Sequence, residues 1–234
     1  MGAFGQWAAG RFERAMALNL ANIEGELSTC PPGGRLLDLG CDDGSLTCRF
    51  ASAMKADDVH GVELAGDAAD IARERGIAVT EADLNEPLPL EDGMFDVIVS
   101  NQVIEHLANT DMMVAEIKRL LRPGGIAITS TENLASWHNV AALALGWQPF
   151  SLSNVTSRRS GLGNPLAIHR AADADGRESW QHVKVFSYRG LRELFESHAL
   201  AVHAVLGAGY YPFAAKLGRI DPRHAAFLTV VASR

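Results

Sequence analysis

Between Gln6 and Leu27, apolar residues recur at three- and four-residue steps: Phe12, Met16, Leu20, Ile23 and Leu27. That spacing predicts a helix with one buried stripe. Cys30-Pro31-Pro32-Gly33-Gly34 ends it, because proline cannot continue a helix. The period then changes. Arg35–Leu39, Asp58–Val62, Ile77–Thr80, Phe95–Val99 and Ile126–Thr129 are short, mostly apolar runs, as expected of strands covered on both faces. Helices are predicted between them at Leu46–Met54, Asp67–Arg75 and Asp111–Leu121. The last has capping side chains among Asn109, Thr110 and Asp111 and a stop at Arg122-Pro123-Gly124-Gly125.

Alternating strand and helix predicts an α/β, doubly wound, mostly parallel sheet, with ligands at the carboxyl ends of its strands. The segment 133–186 breaks the rhythm. It carries Trp137, Trp147, Trp180, Gly161, Gly163 and Gly176 and is expected to form a lid insertion over that edge. Ser187–His198 then predicts a helix capped by Ser187, and Leu200–Leu206 with Ala226–Ala232 an antiparallel edge hairpin. The whole divides as one domain, 1–234: an N-terminal helix (1–34), a ligand-binding core (35–132), the insertion (133–186), and a C-terminal helix with edge strands (187–234).

Composition narrows the function. The chain has 234 residues, 47% hydrophobic and 21% charged, enough for a full core without staples. A net charge of −7 argues against a nucleic-acid partner. Three cysteines (Cys30, Cys41, Cys48), none in a CxxC pair, suggest reduced thiols. No apolar run approaches the roughly 18–20 residues of a membrane span, and Met1–Gly10 lacks signal-peptide character. The expectation is a cytoplasmic protein without membrane contact.

The candidate chemistry starts at Leu37-Asp38-Leu39-Gly40-Cys41-Asp42-Asp43-Gly44, a strand running through a glycine turn into a helix. Such a turn brings free backbone N–H groups close to a ligand. Glu63 ends the second strand, about 20 residues on, where a carboxylate accepts from a ribose diol. Asp83 follows the third strand. Asp42 and Asp43 would repel a pyrophosphate and tolerate a cationic adenosyl ligand. A nucleotide-dependent oxidoreductase and a non-catalytic binding module therefore stand as weaker alternatives.

As an ordered set, Leu36–Cys41 with Gly44, Gly61-Val62-Glu63, Ala82-Asp83-Leu84, Phe95–Ile98 leading to Val103-Ile104-Glu105-His106-Leu107, and Leu120–Gly125 resemble the class I S-adenosylmethionine-dependent methyltransferases. The resemblance implies a Rossmann-like, seven-stranded sheet with its last strand antiparallel. It places Gly40, Cys41 and Gly44 against the methionine part of S-adenosyl-L-methionine, Glu63 on the ribose, and Asp83 with Leu84 at the adenine. Asn101 and Gln102 would line the methyl-donor pocket; Asp38 and Leu64 complete the set.

Ser100-Asn101-Gln102-Val103 stands where methyltransferases of adenine or glutamine amides carry an acidic or amide residue, two prolines and an aromatic, so those acceptors drop out. His106, His138 and His182 are the candidate bases for a hydroxyl acceptor. Glu105, His106 and Glu132 are a candidate Mg²⁺ set. Asn133–Phe150, His182–Phe195 and Asp221-Pro222-Arg223-His224 look similar to small bacterial methyltransferases of polysaccharide assembly. That implies O-methylation of a small saccharide acceptor, mannoside-type; Trp137, Trp147 and Trp180 are candidates either to stack on sugar faces or, as the reading favours for any single one, to form the core of the lid. N- or C-methylation of a metabolite or quinone-like ring is the alternative, and a homodimer is left open.

Overall fold

The computed structural model describes residues 3–64, 66–156, 161–167 and 181–234. The short apolar runs become β1 (Arg35–Leu39), β2 (Asp58–Glu63), β3 (Ala78–Glu81), β4 (Phe95–Asn101) and β5 (Leu121–Glu132), joined late in the chain by β6 (Ala201–Ala208) and β7 (Phe227–Ser233). They form one seven-stranded sheet in the order β3-β2-β1-β4-β5-β7-β6. Neighbours among β1–β5 pair in parallel, and β7 runs antiparallel to both β5 and β6. The last two strands do form an antiparallel pair. Only β6 is an edge, however, because the mostly buried β7 slots between β6 and β5.

Adjacent residues in a strand face opposite sides, so Leu36 and Leu37 enter different cores. On one side Leu36, Val97, Val99 and Ile128 pack beneath Ile23 and Leu27 of α1 (Ala3–Leu27) and Phe50 and Met54 of α2 (Ser45–Met54). On the other, Leu37, Leu39, Ile98 and Ala127 meet Met113, Ile117 and Leu120 of α4 (Thr110–Leu120) and Leu191 and Phe195 of α6 (Tyr188–Ser197). The short α3 (Asp67–Glu74) packs Ala72 against Ile77 and Cys41. Two predicted caps hold: Asn109 accepts from the Met112 N–H, and Ser187 from the Gly190 N–H. At the end of α4 the turn from helix to strand is sharper than predicted, and β5 already pairs Leu121 with Phe95.

The segment after β5 leaves and returns at one point. Asn133 bridges Phe186 in parallel, and the Leu134 N–H donates to the Phe186 carbonyl at 3.0 Å. Within it α5 (Trp137–Ala144) is one short helix. Trp180 and Gly176 lie outside the described residues. Among the described residues no helix is long and apolar enough to cross a membrane.

Candidate active site at the carboxyl ends of the strands

The order β3-β2-β1-β4-β5 reverses direction between β1 and β4, the place where doubly wound sheets form their ligand crevice at the carboxyl edge. On its β1 side, the Gly40 and Cys41 N–H groups both donate to the Val62 carbonyl (2.8 and 3.1 Å), folding the turn over β2. Gly40 sits at φ +79°, and a Cβ there would come within 2.5 Å of Val103 Cγ2. Only glycine fits both constraints. Asp42 is also left-handed, at φ +46°, a conformation aspartate tolerates.

Glu63 closes this side. Its Oε2 accepts from the Asp42 N–H at 2.8 Å and its Oε1 from the Leu64 N–H at 2.9 Å. Each oxygen keeps a lone pair for a diol. Leu64 is half exposed beside it. Asp83 is exposed and accepts from the Asn85 backbone and side-chain amides at 2.9 and 2.8 Å. This half of the crevice presents the Glu63 and Asp83 carboxylates, while the space beside Gly40 is filled by Val103. Asp43, by contrast, pairs with Arg75 at 3.0 Å, so one of the two acids invoked against a pyrophosphate is neutralised.

Several other expected contacts turn inward. The Cys41 thiol packs against Gly61 and the Ala72–Ile77 cluster, and burial pushes it up to about 12. Only the backbone of Cys41 faces the turn's work. The room left by Gly44 is occupied by Ile77 and Ala72, so this glycine serves packing. Leu84 belongs to the main core. Asp38 is buried and accepts from the Thr47 hydroxyl at 2.6 Å; burial raises its carboxyl to about 7, against the lowering effect of Thr47.

Asn101 Oδ1 accepts from Asn19 Nδ2 at 3.0 Å, and Gln102 Nε2 donates to Ser130 Oγ at 3.2 Å. Ser130 Oγ donates in turn to Asn19 Oδ1 at 2.8 Å. These two side chains thus join a polar network centred on Asn19, which is fully buried on α1. The sequence reading passed over Asn19, although an asparagine beside an apolar helical stripe is a signal for such a network.

Across β4, a second cluster forms. Glu105 is completely buried in the turn Ile104–His106. Its Oε2 accepts from the Thr131 hydroxyl at 2.9 Å, and its Oε1 has no hydrogen-bond partner among the described residues. Burial lifts the Glu105 carboxyl to about 7; Glu132 adds to this and His182 opposes it. The Glu105 carbonyl accepts from the Val183 and Lys184 N–H groups at 2.7 and 3.1 Å, so the returning insertion is stitched onto this turn. That stitch delivers His182, whose ring meets His106 edge-on at 4.9 Å. Burial and His182 hold His106 down to about 4. Glu132 lies beside His182, at 3.8 Å. One ligand atom each from Glu105, His106 and His182 lie within 4.8 Å of one another. The structure therefore puts His182 where the sequence reading put Glu132.

His138 is not part of this group. It meets Phe150 and Tyr211 edge-on, and burial lowers it to about 4. Trp137 stacks on His224 at 4.2 Å and donates through Nε1 to Tyr210 Oη at 2.8 Å. One of its faces is therefore taken. Asp221 ties this corner, accepting from Tyr210 Oη and from His224 Nδ1, both at 2.8 Å. The Asp-x-x-His spacing was visible in the sequence; its link to Trp137 was not.

Comparison with known proteins agrees with this architecture. The family described as "Methyltransferase domain" matches residues 37–129. The ubiquinone biosynthesis O-methyltransferase of Agrobacterium fabrum is 30% identical over 163 residues, covering 66% of this chain and 63% of that protein. The malonyl-[acyl-carrier protein] O-methyltransferase of Serratia marcescens is 33% identical over 128 residues, covering 53% and 49%. The chain thus spans under two thirds of the length of these relatives. An S-adenosylmethionine-dependent methyltransferase from Mesorhizobium loti superposes with a TM-score of 0.56 at 22% identity, over 87% of this chain and 92% of that one, which bears on fold alone. The expected kinship with polysaccharide-assembly enzymes finds no counterpart in these relatives. Residues 37–129 match the methyltransferase domain family, and the chain shares the Rossmann-like fold of the solved methyltransferase.

Proposed function

We propose that this chain transfers the methyl group of S-adenosyl-L-methionine to a hydroxyl oxygen of a small acceptor. The bound cofactor supplies an electrophilic methyl on a sulfonium. Glu63 accepts from the ribose hydroxyls while Asp42 and Leu64 hold its carboxylate still, and Asp83 takes the adenine amino group. Methyl transfer is an in-line displacement, so alignment and a dry pocket carry most of the acceleration.

One observation favours oxygen as the acceptor. His106 Nδ1 and His182 Nδ1 each meet a main-chain carbonyl, Gln181 O at 3.1 Å and Ser151 O at 2.6 Å. A carbonyl only accepts, so both Nδ1 atoms carry the proton and both Nε2 atoms offer a lone pair to a hydroxyl. His106 and His182 thus act on the acceptor, and His138 serves structure.

Two acceptor bodies compete. The saccharide reading rests on the likeness of Asp221–His224 and the flanking segments to polysaccharide-assembly enzymes. An apolar ring is favoured by the segment 133–157, which has no Asp, Glu, Lys or Arg, and by exposed Val140, Leu143 and Leu145 on and after α5. The relatives named for ubiquinone biosynthesis point the same way. We take the ring-borne hydroxyl as the better fit. Incubation with labelled methyl donor and a panel of phenols, mannosides and amines tests this. Label in phenols carries the reading, label in mannosides alone restores the sugar, and label only in amines sinks O-transfer.

A further inference from the structure

We propose that Glu105, His106 and His182 form a binding site for one divalent transition-metal cation of the Zn²⁺ or Co²⁺ type, with an open position that the acceptor's hydroxyl can occupy.

Four observations meet at this point. The first is convergence: one ligand atom from each of the three residues lies within 4.8 Å of the others, although they come from two parts of the chain. The second is the tautomer already described. Metal-bound histidines usually donate their second ring N–H to a carbonyl or carboxylate, which fixes the ring and aims its lone pair. Both His106 and His182 do so here, to Gln181 O and Ser151 O. The third is the orphaned Glu105 Oε1. It is a buried carboxylate oxygen with no protein donor among the described residues, beside an Oε2 that Thr131 already holds. Buried polar atoms are rarely left without a partner, and a cation would supply one. The fourth is support from the backbone: Val183 and Lys184 N–H groups bind the Glu105 carbonyl, so the segment bearing His182 is locked to the turn bearing the other two ligands.

The donor set selects the ion. Two imidazoles and one carboxylate with a free fourth position suit Zn²⁺, Co²⁺ and related metals. Mg²⁺ prefers six oxygens in an octahedron, so the Mg²⁺ expected from Glu105, His106 and Glu132 does not match what converges. Glu132 lies on the Nδ1 side of His182, at 3.8 Å, and is not among the three converging ligands. Three protein ligands and an open position is the arrangement of catalytic rather than structural zinc. With the ion bound, the two Nε2 lone pairs hold the metal, which polarises the acceptor's hydroxyl in place of direct contact with the rings; this use for methyl transfer rests on the proposed O-methyl acceptor, whereas the binding of the ion does not.

The test uses the full chain after dialysis against chelator. Titration with Zn²⁺ by calorimetry and with Co²⁺ by visible absorption should give one site per chain with a tetrahedral Co²⁺ spectrum. His182→Ala should weaken that site roughly 10–100-fold or more, as should Glu105→Gln. Binding of S-adenosyl-L-methionine by both variants, measured in parallel, should stay within about twofold and shows that they are folded. Absence of saturable Zn²⁺ and Co²⁺ binding overturns the proposal, and so does binding that His182→Ala leaves unchanged. Chelated protein that still binds cofactor and methylates at the full rate overturns the open-position role while leaving the methyltransferase reading intact. Metal binding without any cofactor binding has the opposite meaning.

Discussion

Glu63 and Glu105 stand at or just beyond the carboxyl ends of strands that flank β1, and they are built for opposite work. Glu63 is half-buried, and two main-chain N–H groups from adjoining residues satisfy it while leaving lone pairs outward. Glu105 is wholly buried, holds one hydroxyl and leaves an oxygen without a partner among the described residues. The first needs only its own turn and the neighbouring one. The second needs the segment 181–186 to fold back and bring His182. A carboxylate served by local backbone donors is a finished receptor, whereas a buried one with an empty side implies a further partner.

The comparison can be broken from its Glu105 side first. His182→Ala should lower kcat roughly 10²–10⁴-fold with an unchanged cofactor Kd, as steady-state rates and calorimetry would show. On the other side, Glu63→Ala removes charge-assisted hydrogen bonds worth about 1.5–3 kcal/mol each, so cofactor Kd should rise by more than about 100-fold, with metal binding untouched. Equal effects of the two variants on both ligands would mean that the crevice is one coupled site.

Gly40→Ala should cost about 1–3 kcal/mol of stability in denaturant titration, from its left-handed backbone and the clash with Val103. Gly40→Ala combined with Val103→Ala should recover the part due to the clash. His138 adds a pH effect. It stays neutral when folded down to about 4, while the unfolded residue protonates near 6.5. Protons therefore favour the unfolded state, and stability should fall as pH drops from about 6.5 to about 4. His138→Phe should flatten that slope in thermal melts across this range. The smallest change is expected for exposed Asp83→Ala: a rise of a few-fold in cofactor KM at constant kcat, the mark of uniform binding lost.

The proposed cofactor half was legible because its determinants are local. Glycine at 40, the acid at 63 and the acid at 83 lie in fixed offsets from strand ends, and strand ends follow from apolar runs. Cys41 and Leu84 matched the motif by position yet their side chains serve packing, and Gly44 makes room for Ile77 and Ala72, since a motif records spacing and not direction. The acceptor half was legible only as a roster of histidines. His106, His138 and His182 look alike in the sequence. What separates them is whether Gln181 and Ser151 carbonyls or Phe150 and Tyr211 rings surround them.

By itself the sequence determined the alternation of strand and helix, the doubly wound sheet and the glycine-and-acid edge, because periodicity and turn chemistry act over a few residues. The tertiary structure alone decided that β7 lies inside β6, that Asn19 ties α1 to Asn101 and Ser130, and that His182 rather than Glu132 joins Glu105 and His106. Those pairings join residues far apart in the chain, and no local rule encodes which distant segment closes on which.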